Sequence, residues 1–384
     1  MKQGWEIKKL GEVCQIKTGK KDVNQGNPNG AYPFFTCAKE HTFSDTYSFD
    51  TEALLIAGNG DVGNVSYYNG KFEAYQRTYV LFDFKIIDAR FLFRVLDGIL
   101  KQVMAQNKLG NTMPYIKLGM LKDFEIPLPP LPEQQRIVSI LDECFAAIDK
   151  AKANAEQNLK NTKVLFDCVL DNILYDKKWK IKQLGEVCEK VEYGSSAKST
   201  TKGKLPVLRM GNIQNRRFIW DSLVYSDNEE DNKQYLLKHN DVLFNRTNSP
   251  ELVGKTAIYK GEMPAIFAGY LIRIHRKEDL LDADYLNYYL NSKMAFEYGK
   301  TVVISSVNQA NINGTKLKTY PIPLPSIQDQ QTIVRQLDAL RAETQKLEAV
   351  YQKKIDDLEE LKKSILQKAF AGELKVSEPL INAD

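Results

Sequence analysis

The chain has 384 residues, 43% hydrophobic and 27% charged, with a net charge of +4. That length builds two domains with separate cores, and so mild a charge permits a nucleic-acid partner without demanding one. Five cysteines with no Cys-x-x-Cys spacing and three scattered histidines exclude a disulfide framework and a zinc site; they point to a reduced, cytosolic chain, with no signal peptide and no apolar run of membrane-spanning length.

The first 130 residues mix short apolar runs with turn chemistry. Gly26 to Gly30 reads as a loop, Ala53–Ala57 and Tyr79–Phe82 as strands, and Tyr68-Asn69-Gly70-Lys71 as a hairpin turn. From Ala89 to Met104, Phe91, Leu92, Val95, Leu96, Ile99, Leu100 and Val103 recur at helical spacing and predict one amphipathic helix. The expected head is α+β.

A long Pro-free stretch follows, from about Pro132 to Ile173. Counting four and three alternately from Ile137 gives Leu141, Cys144, Ile148, Ala151, Ala155, Asn158, Thr162, Leu165 and Val169, a heptad seam. A second stretch, from about Ser326 to Phe370, gives Ile333, Leu337, Leu340, Thr344, Leu347, Tyr351, Lys354, Leu358, Leu361 and Ile365. The polar positions Asn158, Thr162, Thr344 and Lys354 cost stability there and serve register. Helices of roughly 40 residues span about 60 Å. Antiparallel pairing would place two heads at opposite ends of one rod.

Between these stretches the first head recurs. Trp5-Glu6-Ile7-Lys8-Lys9-Leu10-Gly11-Glu12-Val13-Cys14 returns as Trp179-Lys180-Ile181-Lys182-Gln183-Leu184-Gly185-Glu186-Val187-Cys188, an offset of 174. Ile126-Pro127-Leu128-Pro129 and Gln134-Gln135 return as Ile322-Pro323-Leu324-Pro325 and Gln330-Gln331, an offset of 196. Asp241-Val242-Leu243-Phe244 matches the Leu54 strand, Tyr259-Lys260-Gly261 the Tyr68 turn, Tyr270–Ile274 the Tyr79 strand, and Tyr285–Tyr298 the helix. The extra length of the second copy is expected in loops, where insertions cost least.

Gly58-Asn59-Gly60-Asp61-Val62-Gly63 spells Gly-x-Gly-x-x-Gly, with Asp83 at a dinucleotide-like separation. Such a fingerprint needs a helix N-terminus after the glycines, whereas Asn64 to Gly70 reads as strand and turn. An exposed polar loop is the better account. Its second copy, Asn245-Arg246-Thr247-Asn248-Ser249, carries side-chain types that pair with base edges. Together with matching loops these give the DNA-binding candidates. In the first half they are Lys17, Thr18, Lys20, Lys21, Asn59, Asp61, Gln76, Arg77, Lys108 and Asn111. In the second half they are Ser195, Lys198, Arg209, Asn212, Arg246, Thr247, Asn248, Lys255, Asn308 and Asn311. Lys202, Lys204, Arg216 and Arg217 are further phosphate candidates. No amino-methyltransferase Asn/Asp-Pro-Pro-Tyr/Phe segment, Walker loop, zincin helix or nucleophile elbow is present, so the chain is not expected to be an enzyme or to bind a metal. An enzyme built on the Gly58 loop and a protein-binding coiled-coil scaffold are the competing classes.

The repeated Trp-x-x-x-x-Leu-Gly-Glu-Val resembles the start of each target recognition domain in specificity subunits of type I restriction–modification systems. Pro127-Leu128-Pro129-Pro130-Leu131-Pro132-Glu133-Gln134-Gln135-Arg136-Ile137 resembles that family's lead into its helical spacer; Pro323 to Gln331 is a looser copy, with Ser326 and Thr332 in place of Pro130 and Arg136. Leu366 to Leu374 resembles its C-terminal signature. The resemblance implies an α+β chain of two recognition domains (1–130 and 176–325), a central helical spacer (131–175), a C-terminal one (326–375) paired with it as an antiparallel coiled coil, and a tail (376–384). It implies a cytoplasmic subunit without a catalytic centre or cofactor. The partners would be double-stranded DNA, two modification subunits using S-adenosylmethionine, and restriction subunits using ATP and magnesium. The target would be bipartite.

Overall fold

A computed structural model describes residues 4–107, 115–176, 178–306 and 309–374, and the chain divides into two compact units, 1–156 with 353–384, and 157–352. Lys108, Asn111, Asn308 and the tail 376–384 lie outside the described residues.

The first unit opens with β1 (Glu6–Lys9), α1 (Leu10–Val13) and β2 (Gln15–Thr18). Next come β3 (Tyr32–Phe35), β4 (Thr42–Ser44), β5 (Phe49–Ala57), β6 (Val65–Ala74) and β7 (Thr78–Phe82). The helices α2 (Ala89–Asn107) and α3 (Leu118–Lys122), the strand β8 (Glu125–Leu128) and the long helix α4 (Leu131–Leu174) follow. Six strands form one mixed sheet in the order β2-β7-β5-β6-β3-β4, while β1 pairs antiparallel with β8, Lys8 opposite Ile126. Alternation puts Leu54, Ile56 and Leu81 on the face under α2, and Leu55, Phe72 and Val80 on the other. Phe91, Leu92, Val95, Leu96, Ile99 and Leu100 fill the first of these cores together with Met104, which takes the place expected of Val103.

The second unit repeats this plan. It contains β9 (Lys180–Gln183), α5 (Leu184–Val187), β10 (Cys188–Tyr193), β11 (Leu205–Leu208), β12 (Ile213–Gln214), β13 (Arg217–Phe218), β14 (Val224–Ser226) and α6 (Glu229–Gln234). Then come β15 (Val242–Asn245), β16 (Thr247–Asn248), β17 (Thr256–Ile258), β18 (Ile266–Phe267) and β19 (Leu271–Arg276). The last elements are α7 (Ala283–Leu290), α8 (Lys293–Val302), β20 (Ile304–Ser306), β21 (Gln309–Asn311), α9 (Gly314–Lys318), β22 (Pro321–Leu324) and the long helix α10 (Ile327–Phe370). The sheet order β10-β19-β15-β17 parallels β2-β7-β5-β6, and β9 pairs with β22 as β1 does with β8.

The repeated motifs are scaffolding. Leu10, Val13, Leu184 and Val187 are buried. Glu12 accepts the Lys9 N–H at 3.0 Å and Glu186 the Gln183 N–H at 2.8 Å, satisfying donors that a short helix leaves orphaned. A Cβ on Gly11 would press on Lys122, and one on Gly185 on Lys318. The first glutamine of each Gln-Gln pair is fully buried. Gln134 accepts the Asp88 N–H and donates to the carbonyls of Pro129 and Ile86; Gln330 does the same with Asp282, Pro325 and Leu280.

Each long helix contributes one stretch to each unit. In the first unit Lys152 pairs with Glu359 at 2.6 Å and Asp149 with Lys362 at 3.0 Å, a crossed order that makes α4 and α10 antiparallel there. Ile137, Leu141 and Ile148 are buried in that unit, with Leu358 and Ile365 packed against them. In the second unit Ile333 and Leu337 are buried, with Val169 and Leu340 alongside.

Several expectations are corrected. The seam residues Leu165, Leu347 and Leu361 are 44%, 41% and 47% exposed, and Asn158 and Lys354 are exposed too. A straight α-helix drifts about 20° per heptad from a seven-residue count. Four heptads from Ile137 the stripe has therefore moved to Phe166 and Leu170; on α10 it passes through Ile355 to Ala369. Tyr68 to Lys71 is no turn: β6 runs through it, with Asn69 opposite Glu52 and Gly70 at φ +132°. The β5–β6 turn is the glycine loop itself. The second copy does turn near Gly261 (φ +87°), splitting the strand into β17 and β18. Tyr285–Tyr298 is two helices, because the Asn291 amide exchanges hydrogen bonds with the Thr256 backbone and Ser292 caps α8. The region carrying added length in the second copy is not bare loop; it holds the β12–β13 hairpin and α6.

Candidate nucleic-acid interface

In the first unit β2, β5 and β7 end side by side, Thr18 opposite Tyr79 and Ala57 opposite Thr78. The glycine loop rises from this edge. Gly58 donates to the Arg77 carbonyl at 3.0 Å and accepts from Ile116 at 2.9 Å. A Cβ on Gly58 would lie 2.4 Å from the Arg77 oxygen, and Gly60 and Gly63 have φ of +64° and +79°. These glycines shape a β-hairpin turn followed by a strand, so no helix N-terminus is there to hold a phosphate.

The loop geometry gathers Thr18, Lys20, Lys21, Asn59, Gln76 and Arg77 at this edge. Gln76 donates its N–H to the Lys21 carbonyl, and Asn59 bridges to Tyr115. Lys20, Gln76 and Arg77 are exposed. Lys21 is committed: its ammonium reaches Ser44, Thr46 and the buried Glu73, at 2.9, 2.5 and 3.4 Å. Asp61 pairs with Lys101 of α2 at 2.6 Å. Lys17 leans away from the edge, over the Phe82 ring.

The corresponding edge of the second unit has the same backbone plan. Arg246 donates to the Tyr270 carbonyl at 3.0 Å and accepts from Ile312 at 2.8 Å, so it stands where Gly58 stands in the first unit. Its guanidinium lies 4.9 Å from the Tyr193 ring centroid and donates to the Gly269 carbonyl at 3.2 Å. Thr247 pairs with Asn311 across the β16–β21 ladder, and the Asn311 amide donates to the Thr247 hydroxyl at 2.8 Å. Asn248 follows on the same strand. Tyr193 and Tyr270, 41% and 51% exposed, flank Arg246. Neither was selected from the sequence, although an aromatic bordering an Arg/Asn-rich loop is a usable sign of base or sugar contact.

Beside them a cleft of about 570 Å³ is lined by Arg209, Asn212, Tyr270 and Gln309, among others. Asn212 is 3% exposed and its amide serves the backbone of Arg209, Ile219 and Asp221, so it staples this loop. Ser195 is likewise buried and donates to Asp231. Lys198 is exposed on the loop after β10. Lys255 stands apart, in a cleft lined largely by α4, α8 and α10. Arg216 and Lys204 are held by Asp167 and Glu229. Beneath the edge, Arg273 is 5% exposed and binds Glu192 and Asp241, while His275 reaches Glu192 at 2.9 Å. Burial pushes the Glu192 pKa up, but hydrogen bonds from His275 and Arg273 outweigh it and hold the carboxyl below its usual range.

Among the described residues no group of three or more His, Cys, Asp or Glu could hold a metal, and no helix is long and apolar enough to cross a membrane. The chain is similar to the EcoDI type I restriction enzyme specificity subunit of Escherichia coli, 30% identical over 96% of this chain and 88% of that one. The EcoKI specificity subunit of E. coli strain K12 is 27% identical over 69% and 61%. Among solved structures, a chain of a type I R-M system matches with TM-score 0.75 at 21% identity, covering 97% of this chain and 99% of that one. The HsdS subunit from Thermoanaerobacter tengcongensis matches with TM-score 0.60 at 20% identity, covering 97% and 98%. Residues 2–160 and 176–359 each match the family described as the type I restriction modification DNA specificity domain, and the chain belongs to that family.

Proposed function

We propose that this chain gives a type I restriction–modification complex its DNA sequence specificity, with one head reading each half of a bipartite target. The observation that carries this reading is the pair of backbone-equivalent loops with unlike side chains: Gly58-Asn59 in one unit, Arg246-Thr247 in the other. Matched scaffolds with different polar tips suit two different half-sites in two major grooves. The exposed candidates Lys20, Gln76 and Arg77, and the partly exposed Arg246, Asn248 and Asn311 with Tyr193 and Tyr270, are the readers; Thr18, Lys198 and Arg209 reach phosphate or sugar. The long helices set the number of base pairs between the half-sites.

The chain itself performs no bond chemistry in this reading. Two copies of a modification subunit bind S-adenosylmethionine, extrude the target adenine and methylate it, and restriction subunits supply ATP- and magnesium-dependent cleavage in the cytoplasm. The test is methylation mapping in cells expressing this chain with its modification subunit. A bipartite asymmetric motif supports the reading; a continuous motif, or none, refutes it. Deleting Asn154–Lys160 with a facing heptad of α10 shortens each helix by about 10 Å, and the motif should keep its halves while its spacer contracts.

A further inference from the structure

The β12–β13 hairpin belongs to the second unit alone. Ile213 pairs with Phe218 and Gln214 with Arg217, leaving a two-residue turn of Asn215 (φ +50°) and Arg216 (φ +66°). Two positive φ values in succession are the mark of a type I′ turn, whose second position favours glycine. Here an arginine occupies it, and its side chain is engaged. The Arg216 guanidinium lies 4.6 Å from the Phe166 ring centroid and binds Asp167 at 2.5 Å, both on α4. Its carbonyl accepts the Asn287 amide of α7 at 3.1 Å, and Arg341 of α10 donates to the Asn215 carbonyl at 2.5 Å. One turn thus touches both long helices and the head helix within this unit. Direct contact of head helix with long helix occurs in both units, by Arg94 and Asp142 at 2.6 Å in the first and by Tyr288 with Phe166 and Asp338 in the second; the turn adds a second point of attachment that the described residues of the first unit lack.

We infer that this hairpin is a brace: Arg216 is a positioning residue that fixes the angle of the second head on its helical pair, and so the strictness with which the complex measures the spacer between half-sites. The inference rests on the proposed reading of a bipartite target. It assigns no base contact to Arg216. Its effect must then appear in the tolerated spacing and not in the bases read, since the loops around Arg246 are left unchanged.

Arg216→Gly separates the brace from the fold, because Asn-Gly is the favoured type I′ pair. Methylation is mapped with the whole complex, alongside its thermal midpoint. The expected result is unchanged half-sites, an unchanged midpoint, and a preference for the cognate spacer over neighbours one base pair longer or shorter that falls about tenfold, the loss of roughly one charge-assisted contact. Arg216→Lys keeps the charge facing Asp167 but not the planar stack, and falls between. Unaltered spacer discrimination overturns the inference. So does loss of methylation at every spacing, which makes the hairpin a folding element. A parent complex without a bipartite motif refutes the functional reading itself and is recognised before any variant is made.

Discussion

Gln134 accepts the Asp88 backbone N–H at 2.7 Å, tying the first turn of α4 to the start of α2. The same side chain donates to Pro129 at 2.8 Å and Ile86 at 3.3 Å. A single buried amide therefore serves three backbone groups, and Gln330 repeats the device at Asp282. This is why the Gln-Gln motif recurs: it joins head to spacer. Replacing Gln134 with Leu removes the partner of all three at once, at about 2–4 kcal/mol. The thermal midpoint of the purified complex should fall by roughly 5–10 °C, and Gln330→Leu should match it. A shift under a degree or two for both would show that the amides are replaceable.

Glycine positions separate the crowded from the permissive. A Cβ on Gly19 would sit 1.8 Å from the Ala74 carbonyl oxygen, while one on Gly119 meets nothing within 4 Å. Gly19→Ala is expected to displace the β2 edge and lower stability by more than about 3 kcal/mol. Gly119→Ala, inside α3, should raise stability by about 0.4–1 kcal/mol. Denaturant titration of the two variants gives opposite signs.

Arg246 should matter to one half-site only. Removing its side chain takes away donors without altering the backbone bonds to Tyr270 and Ile312. Arg246→Ala is expected to relax one position of that half-site by ~1–3 kcal/mol and leave the other half-site intact. Binding titrations on single-base variants of the target measure this directly; identical profiles for parent and variant would remove Arg246 from the readers.

Acid should act on the second unit through Glu192. Its folded pKa lies below the ordinary value because of His275 and Arg273. The stabilisation is thus fully present above the ordinary carboxylate pKa and is lost as pH falls through the lowered one. Glu192→Gln should flatten that acid-side slope. Arg273→Leu, which takes away the buried cation that Glu192 and Asp241 share, should cost about 3–5 kcal/mol at neutral pH. Unfolding followed from pH 7 to 3 distinguishes the two variants.

What the amino-acid order determined by itself was periodicity and recurrence. The duplicated Leu-Gly-Glu-Val and Ile-Pro-Leu-Pro segments became matching scaffolds because each residue there answers a local need: burial at Leu10 and Val13, a cap at Glu12, close approach at Gly11. The strands at Leu54 and Tyr79 were legible as unbroken apolar runs, because both faces of their sheet carry a core, and the two long helices by an apolar stripe.

Tertiary structure decided the rest. Whether Leu165 or Phe166 is buried depends on helical drift accumulated over four heptads, which a seven-residue count cannot carry. Whether Tyr68 to Lys71 turns or continues as strand depends on β5 pairing along its length. Among the loop residues, Lys21, Asn212, Ser195 and Arg216 looked no different from Arg77 or Arg246. The partners of Lys21, Ser195 and Arg216, namely Glu73, Asp231 and Asp167, lie 36 or more positions away, while Asn212 bonds backbone within nine positions that only the folded hairpin brings round it. A polar side chain far from its partner in sequence is claimed for the scaffold only when folding closes the distance, so the division between stapled and exposed residues is a property of the fold.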